Sequence, residues 1–228
     1  MAALSPTDFA RGARYFVDVW NTFRDEQAEW VEFPLDVAAV HQVSGYVALS
    51  NIPAMSATPS EIAAESSMLT GLEEPLDELD EDTATLVFPS TAAAHTYDFH
   101  MVYSPAYRVP FLLLRGQRLD GTLLTEEEMA ADLPAQTAEL VNDGRKWLFL
   151  TRQDHPYLNQ PWSALHPCET AQMMKLLMGQ ESIQTSGENE EKTKSGEIRA
   201  AKYFLAWFSV AGPVVGLTLP LDAYRFQL

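Results

Sequence analysis

Phe9, Ala13, Phe16, Trp20 and Phe23 recur at steps of four and three, which puts all five on one stripe of a helix. A stripe this aromatic must be covered by a broad apolar surface, so the rest of the chain has to supply one. The helix start is punctuated: Ser5 suits the N-cap, Pro6 the first helical position, and Asp8 lies three residues after the cap. A helix lying on a membrane surface is the alternative, and it is disfavoured by charge. The chain holds 15 Lys+Arg against 32 Asp+Glu, a net −17, which repels anionic lipid and nucleic acid alike.

The covering surface reads as a sheet. Strand-like runs occupy 30–35 (WVEFPL) and 42–52 (QVSGYVALSNI). Over 96–104 the chain alternates, with Tyr97, Phe99, Met101 and Tyr103 on one face and Thr96, Asp98, His100 and Val102 on the other. Ser104-Pro105 breaks that run, Val109 to Leu114 forms another, and Asp120-Gly121 is a turn signal. Thr125 before Glu126–Glu128 marks a helix start. Lys146 to Thr151 is a further strand, a helix follows from Cys168, and a last helix runs from near Arg199 to about Val210, stopping at Gly212-Pro213. The order predicts an α+β domain, an antiparallel meander sheet with helices packed on one side.

At 228 residues one conjoined core over 1–228 is expected. Two stretches fall outside it. Residues 54–82 hold nine acidic residues and no basic one, and no Lys or Arg occurs between Arg24 and Arg108. The stretch reads as a flexible acidic loop whose partners, if any, are basic or neutral. Residues 180–198 read as a polar linker. The opening segment lacks the pattern of a signal peptide. The apolar run at 204–217 is too short for a bilayer and is interrupted by Gly212-Pro213. A soluble, cytoplasmic protein is expected.

No phosphate-binding glycine loop of either common kind is present, and no cofactor is implied. His155, His166 and Cys168 lack the spacing of a structural zinc site. His95 and His100 point to opposite faces of their strand and cannot pair there. The lone Cys168 excludes an internal disulfide. A single cysteine is most often a small buried hydrophobe, but this one has a particular setting. The segment HPYLNQPWSALHPC (155–168) carries three prolines and two aromatics, which reads as a stiff loop delivering Cys168 to a helix N-terminus. There the helix dipole favours the thiolate, an arrangement suited to nucleophilic or acyl-carrier chemistry.

The same segment, with YSPAYRVPFLLLRG (103–116) and YFLAWFSVAGPVVGLTLPL (203–221), resembles the autophagy-related protein 10 family of ubiquitin-like-conjugating enzymes. The resemblance rests on residues 103–221; the first hundred share its plan of helix and strands but little specific motif. It implies a ubiquitin-conjugating-enzyme-like fold and a transferase of the autophagy pathway working through a thioester intermediate in the cytoplasm. Autophagy-related protein 7 would be the activating enzyme, autophagy-related protein 12 the carried protein, held on Cys168, and a lysine of autophagy-related protein 5 the acceptor. The His-Pro-Cys tripeptide is shared with the lipid-conjugating sister, autophagy-related protein 3, which stays open as an alternative, as do a cysteine hydrolase and a non-catalytic module of the same fold.

One departure bears on mechanism. Conventional ubiquitin-conjugating enzymes place His-Pro-Asn upstream of the cysteine, the asparagine supporting the oxyanion. Here the upstream tripeptide is His155-Pro156-Tyr157, with Asn159 two residues on. Asn159 is a candidate substitute or a turn residue, His166 a candidate hydrogen-bonder holding the loop, and His155 a loop buttress. The strand at 96–104 is expected near a sheet edge, free to bind the acceptor protein by strand addition.

Overall fold

The computed structural model describes residues 4–33, 42–54, 95–134, 137, 150–178 and 189–225, with backbone alone at 168–169 and 189–195. Helix α1 spans Pro6–Phe23. Ser5 caps it as expected, its Oγ accepting from the Asp8 N–H at 3.1 Å. Phe9, Ala13, Phe16 and Trp20 are fully buried, and the Asn21 side chain ties the helix end to the next strand through both backbone groups of Ala28 (2.9 and 2.7 Å).

Six strands follow among the described residues: β1 (Ala28–Glu32), β2 (Gly45–Pro53), β3 (Thr96–Ser104), β4 (Val109–Gln117), β5 (Leu150–Asp154) and β6 (Pro161–Leu165). Every pairing is antiparallel, and the order across the sheet is β1-β2-β3-β4-β6-β5. Helix α2 (Glu126–Ala131) precedes β5. It starts after Thr125 as expected, and opens with a reciprocal capping box between Thr125 and Glu128. Helix α3 (Pro167–Leu177), helix α4 (Asn189–Val214) and a short 3-10 turn (Leu221–Arg225) complete the chain.

The α+β reading holds: α1 and α4 lie on one face of an antiparallel sheet. Their contact is aromatic, with Phe16 5.3 Å from Phe204 and 4.8 Å from Phe208, and Trp20 edge-on to Phe208 at 5.8 Å. The close approach depends on Gly12. A Cβ there would lie 2.6 Å from the Ala200 carbonyl oxygen, a backbone atom that cannot rotate away. Gly12→Ala is therefore expected to lower stability by about 1–2 kcal/mol, overpacking outweighing the gain in helix propensity. A urea midpoint unchanged or raised would show that the helices can separate freely.

Several expectations are corrected. Residues 155–168 are not one loop: 161–165 form β6, whose Ser163 and Ala164 pair with β4 and whose full length pairs with β5. Strand β1 starts at Ala28, ahead of the expected 30–35, and β5 runs over Leu150–Asp154, past the expected end at 151; residues 34–35 and 146–149 of those two expected strands lie outside the described residues. Helix α4 begins at Asn189, so the second half of the expected linker at 180–198 is helical. It also continues through Pro213, which loses only a last-turn hydrogen bond to exposed Ser209. The chain turns off at Gly216, at φ +81°. The acidic loop at 54–82, beyond Ala54, lies outside the described residues.

Strand β3 is not an edge. It pairs with β2 on one side and β4 on the other, so its backbone cannot accept a further strand. Its second face is closed as well: Val102 packs with Tyr46, Phe111, Leu113, Tyr157, Trp162 and Ala164, and His100 is buried beside them. The binding role expected for this strand is withdrawn on both counts.

Candidate active site

Cys168 is the second residue of α3, directly after β6. Pro167, whose missing N–H is no loss at a helix start, is buried and opens the helix. The unpaired N–H groups of that first turn give the Cys168 end of α3 a partial positive charge.

Strand β6 runs antiparallel to β4, with Ala164 opposite Leu113 and Ser163 opposite Leu114. Continuing that register carries His166 toward the β3–β4 turn at 105–108. The His166 ring meets Tyr107 edge-on, centroids 5.7 Å apart. Tyr107 is 44% exposed. The turn is held from within and below: Arg108 donates its N–H to the Ser104 carbonyl at 2.7 Å and adopts a left-handed φ of 56°. Leu4 donates to the Arg108 carbonyl at 2.9 Å, and the Tyr103 hydroxyl donates to the Leu4 carbonyl at 2.9 Å. Burial raises the Tyr103 pKa against the opposing pull of Arg108, which keeps that hydroxyl a neutral donor. Thus the helix start, His166, Tyr107 and the exposed Arg108 form one surface. Tyr107 and Arg108 were missed because nothing local to 105–108 reveals which later strand will lie beside β4.

His155 and Asn159 belong elsewhere. They sit in the turn joining β5 to β6, whereas Cys168 follows the opposite end of β6. Five strand residues separate the two ends, about 13 Å of rise. Asn159 is exposed, at a left-handed φ of 51°, and its N–H donates to the His155 carbonyl at 2.9 Å. That is the geometry of a turn residue, and it does not put Asn159 beside Cys168.

His155 is fully buried. Its Nδ1 accepts the N–H of Tyr157 at 3.2 Å and of Leu158 at 3.3 Å. These two donors leave the proton on Nε2, which donates to Nδ1 of His100 at 2.8 Å. The His100 ring lies between Trp162 (4.3 Å) and Tyr46 (4.5 Å). Burial, then His155 and Arg115, push the His100 pKa down to about 3. His95 takes a different partner, its Nδ1 meeting Asp132 Oδ2 at 2.6 Å, with the Tyr97 hydroxyl donating to the same oxygen at 2.7 Å. No group of three His, Cys, Asp or Glu among the described residues could hold a metal ion. Among the same residues no helix is long and apolar enough to cross a membrane.

The exposed Tyr107–Arg108 turn thus lies beside His166 at the His-Pro-Cys helix start, and relatives give this arrangement context. Residues 8–222 match the family described as autophagocytosis associated protein, active-site domain. The chain belongs to that family. A ubiquitin-like-conjugating enzyme ATG10 of Arabidopsis thaliana is 33% identical over 223 residues, 96% of this chain and 94% of that protein. The human protein of the same name is 33% identical over 157 residues, covering 68% and 62%. Autophagy-related protein 3 of Candida glabrata is 31% identical over 126 residues, covering 55% and 39%. A crystal structure of the autophagic E2 Atg10 aligns with TM-score 0.46 and 14% identity over 94% of this chain and 98% of that one. The chain is an enzyme of this conjugating, transferase class.

Proposed function

We propose that the chain accepts a ubiquitin-like protein as a thioester on Cys168 and passes it to a lysine of an acceptor protein. The carrying observation is the position of Cys168, the chain's one cysteine, at the second residue of a helix in a family of conjugating enzymes. The Cys168 thiolate attacks the thioester carbonyl on the activating enzyme. A new carbon–sulfur bond forms at Cys168 as the activating enzyme's thiolate leaves. A deprotonated lysine amine then attacks the same carbonyl; an isopeptide bond forms, the amine gives up its proton, and Cys168 leaves as thiolate. The positive end of α3 lies where negative charge develops.

The likeness to autophagy-related protein 10 makes autophagy-related protein 12 the carried protein, autophagy-related protein 7 the donor and autophagy-related protein 5 the acceptor. A protein lysine is favoured over a lipid amine because a net −17 opposes approach to anionic headgroups. The cytoplasm is the place where such partners would be met. The test is incubation with activating enzyme, ATP and each of the two candidate ubiquitin-like proteins. An adduct with the protein 12 type that reductant removes supports the reading. Loading by the lipid-destined type alone would overturn the assignment of cargo, and no adduct with either would overturn the mechanism.

A further inference from the structure

The chain carries five lysines, Lys146, Lys175, Lys192, Lys194 and Lys202, against ten arginines. That imbalance suits a protein holding an activated acyl group, which is exposed to every amine of its own chain. A guanidinium stays protonated and does not attack, whereas a lysine amine can. A lysine on the helix that starts at Cys168 therefore stands out, and α3 has one, Lys175.

Lys175 follows Cys168 by seven residues, two helical turns less about 20°, so the two positions share one flank of α3. Pro167 and Met174, the same spacing one residue earlier, are buried, while Gln172 and Leu176 are exposed. The Cys168–Lys175 flank thus borders open solvent, and Lys175 itself is exposed. Seven residues rise about 10.5 Å. The four-carbon stem of a helical lysine leans back toward the helix N-terminus, here toward Cys168, and an acyl group on a cysteine projects beyond its sulfur. Ala171, between the two on this flank, is too small to bar the way. The positions that could hold the ammonium from one turn before, three and four residues back, are Gln172 and Ala171 rather than carboxylates. Lys175 makes no ion pair among the described residues, whereas Arg14, Arg24 and Arg118 each hold a glutamate.

We infer that Lys175 is a self-acceptor, taking the carried protein from Cys168 of the same molecule when no other amine arrives first. The inference rests on the carrier reading of Cys168. The deprotonated Nζ attacks the thioester carbonyl carbon; a carbon–nitrogen bond forms, the carbon–sulfur bond breaks, Cys168 leaves as thiolate and the amine's proton passes to solvent. An amine held on the same helix meets the carbonyl at a far higher effective concentration than one in solution. A cation in the last turn also suits the helix dipole, but arginine would serve that purpose equally.

The test incubates the full chain with activating enzyme, ATP and the ubiquitin-like protein of the protein 12 type, with no acceptor added. A reductant-sensitive adduct should form first and convert to one that resists reductant and alkali, with the modified peptide carrying its remnant on Lys175. The conversion should keep the same first-order rate constant when the enzyme concentration is doubled. Lys175→Arg keeps the charge, so it should load Cys168 as the parent does and yield about tenfold less of the resistant adduct or lower. A sensitive adduct that never converts, a remnant on another lysine, conversion unchanged in Lys175→Arg, or a rate constant that rises with enzyme concentration would each overturn this inference alone. Absence of any sensitive adduct would overturn it together with the carrier reading.

Discussion

Cys168→Ala is expected to form no reductant-sensitive adduct with the ubiquitin-like protein and no isopeptide product, while its urea midpoint stays near that of the parent. The loss should be complete rather than graded, because Cys168 is the chain's one thiol and no other side chain can stand in for it. Cys168→Ser separates the two halves of the reaction. A hydroxyl attacks more slowly than a thiolate, but the oxyester it forms is a poor leaving group for the next step. The serine variant should therefore accumulate an adduct that resists reductant and hardly proceeds to acceptor. If the alanine variant conjugated at the parent rate, Cys168 would not be the carrier, and a non-catalytic module would become the better reading.

The local parts of this architecture were legible. The Ser5 cap, the aromatic stripe of α1 and the helix start at Thr125 are set by residues within a few positions of one another, so spacing alone reveals them. The alternation over 96–104 gave the strand and its two faces correctly, but not what would cover the second face. A polar His100 reads as solvent-facing. It is buried because His155, 55 residues later, supplies its hydrogen bond, and no local pattern carries that information. The same limit hid β6. The three prolines of 155–168 suggest a loop, yet Pro161 occupies the first position of β6, where the ladder tolerates it. Once β6 inserts between β4 and β5, Tyr107 is brought to His166, and His155 and Asn159 are carried to the other end. Cys168 was readable as a candidate from its tripeptide and the following helix; the residues around it depend on strand order, which sequence does not print.

Mild acid should destabilise the fold through His100. The imidazole is buried between two aromatic rings with Nδ1 already accepting from His155, so a proton there has no partner and would break that bond. Its pKa, near 6.5 in the unfolded chain, is depressed to about 3 in the fold. The unfolded state therefore binds the proton first. Stability from this group is fully present above about pH 6.5 and is lost as the pH falls from there toward 3, at about 1.4 kcal/mol per unit. Between pH 7 and pH 5 the loss is on the order of 2 kcal/mol. Other titrating groups contribute too, so the comparison is with His100→Gln, whose amide oxygen can still accept from His155 but takes no proton. Urea midpoints at both pH values should show the parent losing on the order of 2 kcal/mol more than the variant over this interval. Parallel losses in the two proteins would mean that His100 is accessible to protons in the folded state, through local opening of the 155–160 turn that covers it.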